Sequence, residues 1–269
     1  MAAPLLPSLF VSHGSPMFAL EPGSTGPALA HWGAALSADT PLKGVVLMSP
    51  HWMARGPAVG THPAPPTWHD FGGFPPPLYQ LQYPAPGDPA LAQEVIALLQ
   101  QAGIPATADP QRPRDHGAWV PLLHLLPRAN VPVVQVALPA GYGPAEVFAM
   151  GRALRSLRGQ GVLVVGSGSM THNLSEFFGG RPELDAPAKP YVEAFSRWIE
   201  DALARGDMAA LLDYRRQAPN AQRAHPDEDH FLPLFFALGA ADDGALPQYL
   251  SREVMYGNLA MDSMAFETA

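Results

Sequence analysis

The chain has 269 residues, 47% of them apolar and 15% charged, a balance that suits a sizeable buried core and excludes a disordered segment. A net charge of −8 with no clustered Lys or Arg argues against nucleic acid or an anionic membrane as partner. The absence of cysteine removes disulfides, thiolate nucleophiles and Cys-ligated zinc.

The opening residues, MAAPLLPSLFV, lack Lys and Arg and carry two prolines. They are too short and broken for a signal peptide or a membrane span, so a cytoplasmic location is expected. SLFVS (8–12) reads as a short buried strand, with His13 directly after it. A first helix carrying His31 is expected next, as a structural element. GVVLMS (44–49) is a second buried strand, and SPHW places His51 just beyond its end. Residues 53–87 form the longest irregular stretch, aromatic and stiffened by proline, and read as a wall or lid of a binding site. DPALAQEVIALLQQA (88–102) is an amphipathic helix with an Asp cap and a proline at its first position. Its residues Leu91, Val95, Leu98 and Leu99 share one face.

In RDHGAWVPLLHLLP (114–127), Asp115 is expected to cap a helix whose first turn carries His116, with His124 among leucines as a structural residue. VPVVQVAL (131–138) and GVLVVGS (161–167) are two more buried strands, and 144–157 and 187–204 read as helices. His172 follows the last strand in GSGSMTHNL (166–174). In AHPDEDHFLPLFFALGAA (224–241), three acids and His230 open a helix predicted over 229–238, the acids favouring its positive end. Strand–helix alternation with fully apolar strands predicts an α/β fold. The expected arrangement is a three-layer sandwich around a largely parallel or mixed central sheet, as one domain over 1–269.

Ligands of parallel sheets gather beyond the carboxyl ends of the strands. His13, His51 and His172 each lie within a few residues of such an end, so side chains far apart in sequence can face one cavity. Imidazole ligates zinc or ferrous iron and works as an acid or base near neutral pH. A capping or core role is the simpler reading for any single histidine, and the repetition favours a shared site. Dinucleotide and phosphate loops, G-x-S-x-G and H-E-x-x-H are all missing.

SHGSPM (12–17), SPHW (49–52), HDFGGFPPPLY (69–79), YPAPG (83–87), DHGAWVPL (115–122), GSGSMTHNL (166–174) and PDEDHFLPL (226–234) occur in this order and span most of the chain. Together they make it resemble the class III extradiol ring-cleavage dioxygenases, in particular the LigB-like 4,5-DOPA extradiol dioxygenase family. The resemblance implies one divalent ion per chain on His13, His51 and His230, Fe(II) for dioxygenase activity or Zn(II) as bound. It implies His172 as acid/base, close enough to join the metal ligands and titrating near the working pH, and His116 as hydrogen-bonding partner of substrate or oxygen. The aromatic loop is expected to contact substrate through His69, Phe71 and Trp68, with Phe74 adding to an apolar wall. Catechol and O2 are the implied substrates. Iron oxygenases commonly pair two His with a carboxylate, and Glu228 or Asp229 is the candidate for restoring one here. A zinc-dependent hydrolase on the same histidines and a non-catalytic metal-binding protein of the same fold are the alternatives. A DOPA-like substrate carboxylate would want a cation, with Arg55, Arg112, Arg114 and Arg223 as candidates.

Overall fold

The computed structural model describes residues 5–39, 42–180 and 182–267. Its elements run β1 (Ser8–Ser12), α1 (Thr25–Asp39), β2 (Gly44–Ala54), β3 (Ala58–Gly60), α2 (Pro89–Gln101), β4 (Thr107–Asp109), α3 (His116–Leu125), β5 (Val133–Pro139), α4 (Pro144–Ala153) and β6 (Val162–Gly168). They continue with α5 (Leu174–Gly180), α6 (Pro190–Ala204), three short helices α7 (Met208–Leu212), α8 (Tyr214–Gln217) and α9 (Ala221–Ala224), and α10 (Leu232–Ala240). The chain closes with β7 (Pro247–Ser251), β8 (Val254–Met255), β9 (Leu259–Ala260) and β10 (Ser263–Phe266).

Eight strands form one mixed sheet in the order β4-β3-β5-β2-β6-β1-β10-β7. The centre, β5-β2-β6-β1, is parallel, and β3 on one side and β10 on the other join it antiparallel. Successive strand residues point to opposite faces, and here both faces are covered. Val46, Met48, Val134 and Val164 pack under α2, α4, α6 and α10, while Val45, Leu47, Val133 and Val165 pack under α1 and α3. Double burial is why the central strands read as unbroken apolar runs. Each such side chain contributes roughly 1.5–3 kcal/mol by leaving water, and the three-layer expectation is borne out.

Several boundaries differ from the sequence reading, each for a local reason. β2 does not stop at 49. Ser49 pairs with Ala137 and Met53 with Leu138, so Pro50, His51 and Trp52 have no counterparts on β5, and the strand resumes to Ala54. His51 therefore sits in a bulge, a device that re-aims one side chain without ending the strand. The helix predicted over 144–157 ends at Ala153 and gives way to a 3-10 turn that closes at Gly161 with φ 85°. The helix predicted from 187 starts at Pro190, whose fixed φ suits a first helical position. α10 begins at Leu232 rather than 229, because residues 226–231 form the turn that delivers His230. Within the irregular stretch 53–87 lie β3 and a 3-10 turn over Pro76–Gln80. No helix among the described residues is long and apolar enough to cross a membrane.

Two glycines of β6 let α10 and its preceding turn lie against the sheet end. A Cβ on Gly166 would stand 1.9 Å from the Pro233 carbonyl oxygen, and one on Gly168 would stand 2.2 Å from that of His230. Ser169 N–H then donates to the His230 carbonyl at 2.8 Å, tying the end of β6 to the His230 turn. Gly166→Ala is expected to lose about 1–3 kcal/mol of stability, roughly a 2–12 °C fall in Tm for a domain of this size. Gly56→Ala, whose Cβ would meet nothing within 4 Å, serves as the control and should leave Tm within a degree or two. Calorimetry of both variants checks the pair.

Candidate active site

Five imidazoles converge where β1, β2 and β6 end. His13 follows β1 and continues its ladder, N–H to the Gly168 carbonyl at 2.9 Å. His51 comes from the β2 bulge, and His116 is the first residue of α3. His172 follows β6 and is fixed by its N–H to the Ala224 carbonyl at 2.8 Å. His230 stands in the turn before α10. Nε2 of His13 lies 3.1 Å from Nε2 of His51, and the His230 ring centroid is 5.4 Å and 4.9 Å from theirs. His116 packs against His51 at 3.9 Å, and His172 lies flat on His230 at 3.6 Å with 3° between planes.

Three of the rings are oriented by a second partner. Ser167 Oγ donates to the Gly117 carbonyl, so it accepts from Nδ1–H of His13 at 3.0 Å, leaving the Nε2 lone pair of His13 free to face His51. Asp70 Oδ1 accepts from both the backbone N–H and Nδ1–H of His116, at 3.0 and 2.9 Å. Asp229 Oδ1 receives the backbone N–H and Nδ1–H of His230, at 2.8 and 3.1 Å. Asp115 occupies the N-cap position of α3 but makes no capping bond with its side chain. Its carboxylate is taken by Ser49 Oγ, Arg112 and Gln135, and Asp70 satisfies the helix N–H in its place. The acids before α10 do not cap either: Glu228 accepts from the Tyr214 hydroxyl, and Asp229 serves His230.

Burial keeps His13, His51, His172 and His230 neutral. Desolvation first, then the crowd of neighbouring histidines, holds His13 and His230 well below the ordinary histidine value. Desolvation and His116 bring His51 down to about 4, and desolvation and His230 bring His172 to about 2. The expectation that His172 titrates near the working pH therefore gives way: its stacked, enclosed ring penalises the imidazolium. Burial alone would raise the Asp70 carboxyl, but the two hydrogen bonds it accepts from His116 help outweigh it and hold it below the usual range.

The donor set fits a divalent cation. Nε2 of His13 and Nε2 of His51 lie 3.1 Å apart, close enough for both to serve one ion, and metal ligation requires the neutral imidazole form. Ring nitrogens of His13, His51 and His116 lie within 4.8 Å of one another, whereas His230 is the third ligand implied by the sequence motifs. Ring spacing separates the two. Imidazoles that share an ion at about 2.0–2.1 Å radiate from it, with centroids roughly 5 Å apart. His13, His51 and His230 show 5.1, 5.4 and 4.9 Å, whereas His116 lies too close over His51, at 3.9 Å, for both rings to aim at one point. Rotation about the last side-chain bond moves the ring nitrogens but leaves the centroid nearly in place, which makes the centroids the steadier guide. The same test sets His172, stacked on His230, apart from the radial set.

A cavity of about 360 Å³ opens onto the cluster. His51, His116, His172 and His230 form its polar floor, and Phe71, Phe74, Leu174, Phe177, Phe178 and Leu259 its apolar walls. Of the loop residues expected at substrate, Phe71 and Phe74 line this space. His69 instead bonds the Leu81 carbonyl among Phe71, Tyr79 and Trp119, and Trp68 covers Arg112 at 5.0 Å. His124 bonds the Phe18 carbonyl and His225 that of Met170, both as structural residues. Asp70, Ser167 and the α5 residues Leu174, Phe177 and Phe178 are additions the sequence reading lacks. Asp70 stands inside HDFGGFP and the two phenylalanines just after THNL, so both signals were adjacent to quoted motifs.

Residues 7–264 match the family described as the catalytic LigB subunit of aromatic ring-opening dioxygenase. The chain is 36% identical over 269 residues to a protein of Escherichia coli K12 named 4,5-DOPA dioxygenase extradiol, covering 98% of this chain and 96% of that one. It is 35% identical over 261 residues to a Beta vulgaris protein of the same name, covering 96% of each. A crystal structure of an uncharacterized protein from Escherichia coli K12 superposes with a TM-score of 0.77 at 29% identity, over 97% of this chain and 100% of that one.

The Ser167 bond to His13 yields a direct expectation. Ser167→Ala frees the imidazole to adopt the other tautomer and should weaken zinc affinity 10- to 100-fold, measured by competition with a chromophoric chelator. An unchanged affinity would show that packing alone orients His13.

Proposed function

The chain belongs to the LigB family of aromatic ring-opening dioxygenases and is an extradiol ring-cleaving dioxygenase, and on that premise we propose that residues 1–269 act as one catalytic domain that opens a catechol ring beside its hydroxyls. The hydrolase and binding-only alternatives give way to that membership. The observation that carries the proposal is a cluster of imidazoles forming the floor of an otherwise apolar cavity, with His116 and His230 oriented by Asp70 and Asp229.

We assign the ion to His13, His51 and His230, supported by their ring spacing. When bound, a divalent ion brings the catechol oxygens and O2 together and acidifies the hydroxyl, Fe(II) supplying the redox chemistry that Zn(II) lacks. The remaining work falls to the chain. His116 holds its Nδ1 proton toward Asp70, so its Nε2 lone pair faces the cavity and takes a hydroxyl proton from the substrate. Asp70 stabilises the imidazolium this creates and keeps the ring in register, so the same proton can be returned to the product. His172, neutral on the wall beside His230, is a second acceptor for a substrate hydroxyl. Phe71 and Phe74 cover the ring and keep bulk water from reactive oxygen species. The catechol supplies the electrons, and both atoms of O2 enter the opened product.

Protein loaded anaerobically with Fe(II) and given a catechol should consume one O2 per substrate on admission of air, with a yellow ring-fission product. No uptake across a catechol panel with iron bound rejects the proposal. His230→Ala should lose the ion, whereas His116→Ala should keep it and lose 10²- to 10⁴-fold in kcat. Metal analysis of the two variants decides the ligand set, and the reverse pattern moves the third ligand to His116. Asp70→Asn, isosteric but uncharged, should cost 10- to 100-fold, in kcat rather than KM.

A further inference from the structure

Every arginine that the sequence offers as partner for a substrate carboxylate is absent from the cavity lining, and three are visibly committed elsewhere. Arg112 is bonded to Asp115 and the His51 carbonyl and held between Trp52 and Trp68. Arg114 is fully buried and donates to the carbonyls of Tyr83 and Ala85. Arg223 pairs with Glu176 over the ring of Tyr191, and Lys189 occupies the other oxygen of that same carboxylate. The exposed Arg55 does not line the space. Among the described residues that form the cavity, none is charged, and the polar atoms away from the backbone are the imidazoles and the Ser15 hydroxyl.

The outer part is apolar and exposed. Phe178 is 68% and Leu174 46% accessible, beside Phe177 and across from Phe71 and Phe74. Large apolar side chains exposed together at the mouth of a cleft mark a surface that a ligand covers. The volume of about 360 Å³ exceeds what a bare catechol needs, so a ring substituent has room against these walls. A carboxylate placed against these walls meets no charged partner among the described cavity residues, whereas an alkyl or aryl group there covers apolar surface.

We propose that this cavity selects catechols whose ring substituent is uncharged and apolar, alkyl or aryl, over those carrying a carboxylate or amino-acid side chain such as DOPA. The inference rests on the ring-cleavage reading above and narrows its substrate. Phe178, Phe177 and Leu174 are the specificity-determining contacts, and they meet the substituent rather than the reacting ring.

The test is a series of catechol, 4-methyl-, 4-ethyl- and 4-propylcatechol with L-DOPA as comparator. On the Fe(II)-loaded protein, kcat/KM should rise about three- to fourfold per added CH2, and L-DOPA should fall at least tenfold below 4-propylcatechol. Dissociation constants on the Zn(II)-loaded protein should follow the same order without turnover. Phe178→Arg should move the L-DOPA to 4-propylcatechol ratio at least tenfold toward L-DOPA. A flat series, or L-DOPA equal to or better than 4-propylcatechol, overturns the proposal while leaving ring cleavage intact. Absence of O2 uptake with all five compounds, with the binding order still rising on the zinc form, removes the cleavage reading and supports the cavity preference.

Discussion

Two ring nitrogens, Nε2 of His13 and Nε2 of His51, held 3.1 Å apart in a place that water barely reaches, set the terms for the rest of this molecule. The protein gathers five imidazoles around that contact from three strands and two helix starts at once. The force is not local. β1 and β6 are held in parallel register from Ser8↔Val164 to Ser12↔Gly168, and the histidines are carried on the ends of that ladder. The core beneath contributes the free energy that the site consumes.

What turns proximity into chemistry is the ring of partners behind the imidazoles. Ser167 on β6 links His13 to the backbone of Gly117 on α3, so one hydroxyl joins three elements. Asp70 does the same for the aromatic loop: by accepting both protons of His116 it caps α3 and anchors the loop that bears Phe71 and Phe74. The wall of the cavity and the His116 imidazole are thus one hydrogen-bonded unit, so moving the loop disturbs that ring as well as the apolar wall. Glu176 plays the matching part opposite. It holds Lys189 and Arg223, fixes α5 against α6 and α9, and leaves the apolar side of α5 to the cavity.

The sequence makes the strand-end histidines legible because buried parallel strands are apolar runs that stop abruptly, and His13 and His172 follow such stops. The third dimension of the site is less so. The bulge that carries His51 is a relation between β2 and β5, visible only when the two are paired. Asp70 and His116 are 46 residues apart, and nothing near Asp70 announces its partner. The acids of PDEDH look like dipole partners of a helix, yet tertiary partners claim them: Tyr214 takes Glu228, and His230 takes Asp229. The C-terminal edge, β10 and β7, goes unread because PQYLS and SMAF are short and carry little periodicity of their own. His69 and Trp68 show the opposite error. They stand in the right motif, but the loop needs them for its own packing.

The site also bears on stability, since enclosing several imidazoles costs the free protein part of their solvation. An ion bound only by the folded chain repays it by mass action, about 2.7 kcal/mol at a hundredfold excess over its Kd. Ligation then counts as part of the folding free energy as well as of the chemistry. The cluster is backed by close-packed glycines and buried hydrogen bonds. Gly166 and Gly168 let α10 and the His230 turn meet β6 with no side chain between, and every ångström gained there is precision in where the third imidazole stands. The cavity mouth has no such demand, and there the chain leaves apolar residues exposed for a substrate to cover.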